Sequence, residues 1–280
     1  MSDATAAAGH KVGVVGAGQM GREIAMVFAC ADCPTRLTDH HKGAMVAARD
    51  HIAARLADGA RAHLSLTKDL TDFADCSLVI EAVAEDVTVK QRVLADLANI
   101  VPADAILATN TSSIPIGTLA EALPTDRRAG FLGMHFSSPA SRMAFLEIIP
   151  GAETAAETLA EARRVGAAIG KTVTQSADVP GFASNRLLFA LLAEAQRLLD
   201  EGVASRDDID RTCRLALGHP LGPFELMDHI STGLTLDIQT MLHDAYGARY
   251  EPGPSLRRKV ADGEQGRRTG MGFYDYSAAE

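Results

Sequence analysis

The sequence predicts an α/β protein in which a doubly wound parallel sheet is followed by an all-helical second domain. A glycine-rich turn follows the first strand-like run, and strand-like runs then alternate with helical stretches up to residue 174. Beyond residue 182 the apolar residues keep helical spacing alone. Alternating strands and helices favour parallel pairing, because each helix carries the chain back across the sheet. We therefore expect two domains, residues 1–182 and residues 183–280.

The first strand, residues 12–15, leads directly into the motif Gly16-x-Gly18-x-x-Gly21. The first glycine permits a tight strand-to-helix turn, the second lets a pyrophosphate approach the backbone, and the third lets the helix pack on the strand. The amino end of the new helix then points its N–H groups at the anion. These features predict a Rossmann-type dinucleotide site.

A carboxylate lies where such a site needs one. The second strand-like run, residues 35–38, ends in Asp39, about 20 residues beyond the glycines, where an acidic side chain binds the ribose hydroxyls. His40 and His41 follow Asp39, and no arginine does. The absence of an arginine partner for a 2′-phosphate favours NAD over NADP as the cofactor.

The remaining elements of the first domain continue the alternation. Residues 153–169 are rich in alanine and glutamate, and residues 87–99 have amphipathic spacing, so both predict helices. Residues 23–30 predict the helix after the glycine motif. Further strands are expected at residues 78–83, 105–109, 130–135, 145–149 and 171–174.

The second domain begins with a helix that opens at Asn185. Its apolar face from Leu187 to Leu199 is wide and leucine-rich, which suits either a buried core or a subunit interface. Residues 218–223 form a glycine- and proline-containing turn cluster. Further helices are predicted at residues 206–217, 223–242 and 254–262.

Composition excludes several classes of protein. The 280 residues are 47% hydrophobic and 22% charged, with a formal net charge of −9, which argues against nucleic acid as a general partner. No apolar run reaches the roughly 18 residues of a membrane span, and residues 1–10 lack a charged-then-apolar signal. We expect a cytoplasmic protein with no membrane partner. Cys30 and Cys33 form a CxxC spacing that no second pair completes into a zinc site, so we expect no bound metal.

His135 and Glu147 form the most informative candidate catalytic pair. His135 ends a predicted strand, and ligands bind at the carboxyl ends of strands in open α/β sheets. Glu147 lies within the apolar strand at residues 145–149, where a carboxylate needs a partner. If the two strands are neighbours, the carboxylate orients one imidazole nitrogen and leaves the other to accept a proton. By pattern alone, a satisfied structural histidine is the alternative.

Other polar residues follow predicted strands or open a helix. The stretch at residues 110–113 (Asn-Thr-Ser-Ser) can serve a ligand, or one of its hydroxyls can cap the next helix. Asn185 has the same two alternatives at the start of its helix. Glu85 and Lys90 are either a solvated charge pair or reach the cofactor.

A series of sequence blocks resembles one enzyme family. The blocks are Gly16-Ala-Gly-Gln-Met-Gly21, Val79-Ile-Glu-Ala-Val-Ala-Glu85, Asn110-Thr-Ser-Ser113, Gly133-Met-His135, Leu146-Glu-Ile148, Pro180-Gly-Phe-Ala-Ser-Asn-Arg186, Gly222-Pro-Phe-Glu-Leu226 and Gly270-Met-Gly-Phe-Tyr274. In this order they are similar to the NAD-dependent L-3-hydroxyacyl-CoA dehydrogenases, especially the short 3-hydroxybutyryl-CoA form. The resemblance covers nearly the whole chain.

The resemblance implies a role for each matching residue. It implies that His135 is the general base with Glu147 as its partner, and that Ser112 and Asn185 bind the C3 oxygen of an acyl-CoA substrate. The cofactor-binding residues that we expect are Gly16, Gly18, Gln19, Met20, Gly21, Asp39, Glu85, Lys90, Ser112 and Arg268. In this family the first domain holds NAD, the helical domain forms a homodimer, and the acyl-CoA lies between the domains.

The chain departs from the family pattern at two places. Residues 136–138 read Phe-Ser-Ser where the family usually has Phe-Phe-Asn, and Arg268 replaces a lysine. The first change keeps open a dehydrogenase of a free hydroxy acid, such as a sugar acid, which free CoA would not inhibit. A non-catalytic NAD-binding protein is the other alternative, although such a protein has no need of His135, Glu147 and Asn185 together.

Overall fold

The computed structural model of the protein describes residues 9–277. Contacts divide the chain into two compact units, the first ending at Phe182 and the second beginning at Ala183. Residues 1–8 and 278–280 lie outside the described residues. None of the helices in residues 9–277 is long and apolar enough to cross a membrane.

The first unit is built on one eight-stranded sheet. Its strands are β1 (Val12–Val15), β2 (Thr35–Thr38), β3 (Leu64–Leu66), β4 (Leu78–Glu81), β5 (Ile106–Thr109), β6 (Phe131–Phe136), β7 (Phe145–Pro150) and β8 (Thr172–Gln175). Its α-helices are α1 (Gln19–Cys30), α2 (Lys42–Arg55), α3 (Asp58–Arg61), α4 (Val87–Ile100), α5 (Ile116–Ala120) and α6 (Ala156–Ala168). The strand order is β3-β2-β1-β4-β5-β6-β7-β8, which confirms the doubly wound α/β fold.

The central strands of the sheet are buried on both faces. Leu78 and Ile80 of β4 join the apolar cluster that contains α1, whereas Val79 joins the cluster that contains α4. Alternate residues of one strand therefore supply two separate cores. This arrangement explains why β1, β4 and β5 are continuous apolar runs and do not alternate with polar residues.

The sheet differs from the prediction in two respects. β6 and β7 pair antiparallel, whereas the sequence predicted parallel pairing throughout. The segment that joins them, residues 137–144, is too short for a crossover helix, which needs about a dozen residues or more. The strand β3 was not predicted. It is only three residues long, and none of the three is fully buried, so its sequence shows no clear apolar pattern.

The second unit is helical, as predicted. It contains α7 (Ser184–Asp200), α8 (Arg206–Leu215), α9 (Pro223–Ile230), α10 (Thr232–Tyr246) and α11 (Pro254–Ala261). Phe189 and Leu192 of α7 pack with Phe224 and Leu242 in its core. Most of the leucine-rich face of α7 is therefore core, although Leu187 is 75% exposed.

The prediction of a single helix at residues 223–242 is wrong, because the helix is interrupted at Ser231. This residue has φ of +109° and separates α9 from α10. The Ser231 hydroxyl donates to Oε1 of Gln265, and the Gly233 N–H donates to the same oxygen. The contact with Gln265, which is distant in sequence, thus stabilises the interruption. The local spacing of apolar residues does not predict it.

The CxxC pair lacks redox character. Cys30 ends α1 and is exposed, whereas Cys33 is buried. Burial, with a smaller contribution from Asp32, raises the pKa of the Cys33 thiol to about 11. A reactive redox thiol needs a lowered pKa at a helix N-terminus, so these cysteines serve packing or lie at the surface.

Candidate active site

Two glycines of the Gly16–Gly21 loop are required by the fold itself. Gly16 has φ of +104°, and a Cβ atom there would lie 2.4 Å from the carbonyl oxygen of Ala82. A Cβ atom on Gly21 would lie 1.7 Å from the carbonyl oxygen of Gly16. Side chains at these two positions would force the first turn away from β1 and β4, as the sequence predicted for a tight turn and close helix packing.

Gly18 is different, because a Cβ atom there would meet no protein atom within 4 Å. Gly18 is the N-cap of α1, where the first helical N–H groups point outward. The protein itself therefore gives no steric reason for a glycine at this position. The open space fits a ligand anion that approaches the backbone at the amino end of a helix, as the dinucleotide prediction requires.

Gly18→Ala is therefore expected to fold but to bind NADH at least about tenfold more weakly, a loss of about 1.4 kcal/mol. The added methyl group occupies the space that we assign to the pyrophosphate. Loss of the N-cap glycine costs at most about 1 kcal/mol in the free energy of unfolding. Fluorescence titration with NADH and thermal unfolding measure the two effects.

Gly59→Ala is the matched control, since a Cβ atom at Gly59 also meets no protein atom within 4 Å and Gly59 lies in α3. Its NADH affinity should equal that of the parent protein. An unchanged dissociation constant in Gly18→Ala would remove the pyrophosphate from this position.

Asp39 lies beside the glycine loop and is held there by backbone donors. Its Oδ2 accepts the Ala17 N–H at 2.8 Å, and its Oδ1 accepts the His41 N–H at 2.8 Å. The side chain is 13% exposed. A carboxylate is thus fixed at the end of β2, next to the turn that the glycines form. Gln19 and Met20 open α1, and Met20 packs against the core while Gln19 is exposed.

A buried cation lies between two carboxylates at the carboxyl end of β4. Lys90 Nζ is 2.8 Å from Oε1 of Glu81 and 3.2 Å from Oε2 of Glu85. The Lys90 and Glu81 side chains are 1% and 0% exposed, and Thr109 donates to the second oxygen of Glu81 at 2.7 Å. The alternative in which Lys90 belongs to a solvated charge pair is wrong, because its ammonium is buried. Glu81 was not singled out from the sequence.

Glu85 organises the turn after β5. Its Oε1 accepts the N–H groups of Ser112 and Ser113 at 2.9 and 3.1 Å, and the Thr111 hydroxyl at 2.6 Å. Burial raises the pKa of the Glu85 carboxyl, but the Lys90 ammonium and these hydrogen bonds outweigh it, so the pKa lies below its usual value. The Glu85 carboxylate is therefore favoured in its charged form, and it holds Ser112 at the carboxyl edge of the sheet.

The alternative in which residues 111–113 cap a helix is wrong. The helix α5 begins after Pro115, and the Asp178 carboxylate accepts the N–H groups of Ile116 and Gly117, both at 2.7 Å. Asn110 instead accepts the Phe136 N–H at 2.9 Å through its side-chain oxygen, which links the ends of β5 and β6. A remote aspartate thus satisfies the helix donors, and the Ser112 hydroxyl contacts Oε1 of Glu85 at 3.4 Å.

His135 and Glu147 are directly paired across the antiparallel strands β6 and β7. Nδ1 of His135 is 3.3 Å from Oε2 of Glu147, and the two residues are 9% and 0% exposed. The Phe182 ring lies against the imidazole, with 6.0 Å between the ring centroids. A carboxylate at Nδ1 favours a proton on that nitrogen, which leaves Nε2 as the proton acceptor.

Two predicted site residues belong to the second unit. Asn185 lies in the first turn of α7, and the N-cap of that helix is Ala183, so the alternative in which Asn185 caps the helix is wrong. Arg268 is exposed in the segment after α11. Neither residue is close in sequence to the glycine loop or to His135, so their assignment rests on the family resemblance.

A dinucleotide loop, a carboxylate at the end of β2 and a buried histidine–glutamate pair on one doubly wound sheet define the class of NAD-dependent oxidoreductases. The model of the 3-hydroxyacyl-CoA dehydrogenase NAD binding domain matches residues 11–179, and that of the 3-hydroxyacyl-CoA dehydrogenase C-terminal domain matches residues 181–276. The chain belongs to the 3-hydroxyacyl-CoA dehydrogenase family and uses NAD.

Known relatives cover nearly the whole chain. A probable 3-hydroxybutyryl-CoA dehydrogenase of Deinococcus radiodurans is 40% identical over 95% of this chain and 100% of its own. The crystal structure of M. tuberculosis FadB2 has a TM-score of 0.90 at 34% identity, and covers 95% of this chain and 99% of its own. The (S)-3-hydroxybutyryl-CoA dehydrogenase PaaH1 of Ralstonia eutropha has a TM-score of 0.89 at 32% identity, with the same coverage.

Proposed function

We propose that this chain catalyses the reversible oxidation of short-chain (S)-3-hydroxyacyl-CoA, such as 3-hydroxybutyryl-CoA, to 3-ketoacyl-CoA with NAD. The observation that carries the proposal is the His135–Glu147 pair, buried and in direct register at the carboxyl end of β6. The relatives from Deinococcus radiodurans and Ralstonia eutropha bear the name 3-hydroxybutyryl-CoA dehydrogenase, which supports the short acyl chain.

His135 acts as the general base in oxidation. Its Nε2 takes the proton of the C3 hydroxyl, and its Nδ1–H remains directed at Glu147. The carboxylate stabilises the imidazolium that forms, and in reduction the same imidazolium protonates the developing alkoxide. Transfer of a proton by a positioned side chain contributes typically about 10²–10⁴-fold in rate. NAD, when bound, accepts the hydride from C3.

Ser112 and Asn185 are assigned to the C3 oxygen as hydrogen-bond donors. Such donors are most effective when charge builds on the oxygen in the transition state. Glu85 supports this role for Ser112, because it fixes the Ser112 N–H and neighbouring donors at 2.9 and 3.1 Å. Lys90 lies at the other oxygen of Glu85, so we assign it to orient Glu85 at the cofactor side.

The helical unit is assigned to substrate binding and to homodimer formation. Within residues 9–277 its surface carries exposed large apolar side chains, with Leu187, Leu215 and Val203 exposed by 75%, 80% and 64%. A contiguous exposed apolar patch is typical of an interface with another protein, and we propose that these side chains form part of one. A second copy of the helical unit is the partner that the family resemblance favours.

The test is NADH oxidation by the purified protein with acetoacetyl-CoA, in parallel with NADPH and with free acetoacetate. We expect rapid loss of NADH with acetoacetyl-CoA, slow turnover with NADPH, and no turnover with free acetoacetate. Asp39 without an adjacent arginine favours NADH, and the family favours a CoA thioester. Turnover of free acetoacetate that CoA does not inhibit would assign the enzyme to free hydroxy acids instead.

A further inference from the structure

The segment that joins β6 to β7, residues 137–144, is attached to the cofactor helix α1. We call this segment the β6–β7 connection. Gln19 Nε2 donates to the Ser138 hydroxyl at 3.2 Å, and the Ser141 N–H donates to Oε2 of Glu23 at 3.2 Å. Gln19 and Glu23 lie one turn apart on α1, so one helix face contacts the connection twice.

Glu23 is a buried carboxylate with two donors. It is 5% exposed, and its Oε1 lies 2.8 Å from Nε2 of His51 on α2. Arg55 donates to Nδ1 of His51 at 3.0 Å, so Nε2 carries the proton and donates to Glu23. Burial raises the pKa of Glu23, but the hydrogen bonds from Ser141 and His51 outweigh it, so the pKa lies below its usual value.

Lys171 holds the connection from a separate element. Its ammonium donates to the carbonyl oxygens of Ala140 and Met143 at 2.6 and 2.8 Å. The connection is therefore held at two sides. Its Ser141 N–H and Ser138 hydroxyl contact α1, and its carbonyl groups accept from Lys171. Since His135 and Glu147 lie just before and just after this segment, its placement sets where the two strands end.

We propose that Glu23 is a positioning residue that ties the β6–β7 connection to the cofactor helix and so fixes the His135–Glu147 pair relative to the glycine loop. This proposal rests on the catalytic roles proposed above for His135 and Glu147. Displacement of a reacting group by about 1 Å can cost about 10²-fold in rate. A tie between the cofactor helix and the catalytic strands controls the distance on which hydride transfer depends.

The test is Glu23→Gln, assayed with acetoacetyl-CoA and NADH. The glutamine oxygen can accept from Ser141 or His51, but its NH₂ group then faces the other donor. We expect kcat/KM for acetoacetyl-CoA to fall about tenfold, while the NADH dissociation constant changes less than about twofold, because Asp39 and the glycine loop are untouched. Amide hydrogen exchange of residues 137–144 should become faster.

Glu161→Gln is the matched control. Glu161 also accepts from a histidine in the first unit, with His10 Nε2 at 2.6 Å, but it lies on α6 and contacts Arg164 in place of the connection. It should leave kcat/KM and the exchange of residues 137–144 unchanged. If Glu23→Gln does not fold, Glu23→Asp keeps the charge beside His51 and, being one methylene shorter, loses the bond to Ser141.

The outcomes separate this inference from the proposed function. Unchanged kcat/KM and unchanged exchange in a folded Glu23 variant would overturn the positioning role, as would equal losses in Glu161→Gln. Failure of the parent protein to reduce acetoacetyl-CoA would overturn the proposed substrate. Faster exchange of residues 137–144 in the Glu23 variant would still support the tie in that case.

Discussion

His135→Gln is expected to lower kcat for acetoacetyl-CoA reduction by about 10³-fold while the NADH dissociation constant stays within about twofold. Glutamine cannot carry the transferred proton at neutral pH, and this role is worth about 10²–10⁴-fold. His135 is not among the residues that we expect to bind the cofactor, so NADH binding should persist. Stopped-flow loss of NADH absorbance and fluorescence titration measure the two quantities.

Glu147→Gln isolates the contribution of the carboxylate charge. The amide oxygen can still accept from Nδ1 of His135 across the 3.3 Å contact, so ring orientation is kept, but the negative charge beside the imidazolium is lost. We expect a smaller loss of kcat than in His135→Gln, about 10²-fold, because the base itself remains. A loss equal to that of His135→Gln would instead mean that the two residues act as one unit.

His10→Gln is the control for loss of a histidine–glutamate pair away from the candidate site. His10 contacts Glu161 at 2.6 Å and precedes β1, at the edge of the sheet opposite the carboxyl ends of the strands. Its kcat should match that of the parent protein. If His135→Gln kept kcat within about threefold of the parent, His135 would have no part in proton transfer.

The parts of the fold that local pattern encodes were predicted from the sequence. Strand-like runs that alternate with helical stretches predicted a doubly wound sheet, and the two apolar clusters that β4 supplies from its alternate residues confirm it. The antiparallel pairing of β7 was missed, although the short link at residues 137–144 excludes a crossover helix. The break at Ser231 depends on Gln265, and apolar spacing within residues 223–242 contains no signal for so distant a partner.

The candidate site was predicted in part for the same reason. Glu147 drew attention because a carboxylate inside an apolar strand needs a partner, and the structure places it directly opposite His135. The same argument applies to Glu81, which ends the apolar strand β4 and is 0% exposed. Its partner Lys90 was known from the sequence only as a neighbour of Glu85, so the buried pair was missed.

Contacts between residues distant in sequence account for the rest. Local rules left open whether a hydroxyl of residues 110–113 serves a ligand or caps a helix. In the structure Asp178 caps that helix, and Glu85 accepts the N–H groups of Ser112 and Ser113. The attachment of the β6–β7 connection to Glu23 has the same origin. The packing of separate elements determines which donor meets which acceptor. The sequence identifies the donors and acceptors but does not predict how they pair.

Lys90→Met is expected to destabilise the first unit by about 3–5 kcal/mol. Methionine fills a similar volume but leaves the Glu81 carboxylate, which is 0% exposed, without a cation. Breaking a buried pair by removing one partner is costly because the remaining charge stays away from water. Urea unfolding followed by circular dichroism measures the change in the free energy of unfolding.

Lys11→Met is the matched control. Lys11 contacts Asp75 at the same distance of 2.8 Å, but the two side chains are 54% and 47% exposed. Solvent screens such a pair, so its loss should cost less than about 1 kcal/mol. The comparison keeps the substitution and the shorter ion-pair distance of 2.8 Å constant and contrasts a buried lysine with an exposed one.

The double variant Glu81→Gln/Lys90→Met decides whether the cost arises from the unpaired charge. Glutamine can still accept the Val83 N–H, which Glu81 accepts at 2.7 Å, and it carries no charge that needs Lys90. The double variant should therefore be more stable than Lys90→Met alone, because no ion is left buried without a partner. Two outcomes would contradict this account: an equal loss of stability in Lys90→Met and Lys11→Met, or a further loss when Glu81→Gln is added to Lys90→Met. Lys90 would then stabilise the unit by packing, and the hydrogen bonds from Val83 and Thr109 would be sufficient to stabilise the Glu81 carboxylate.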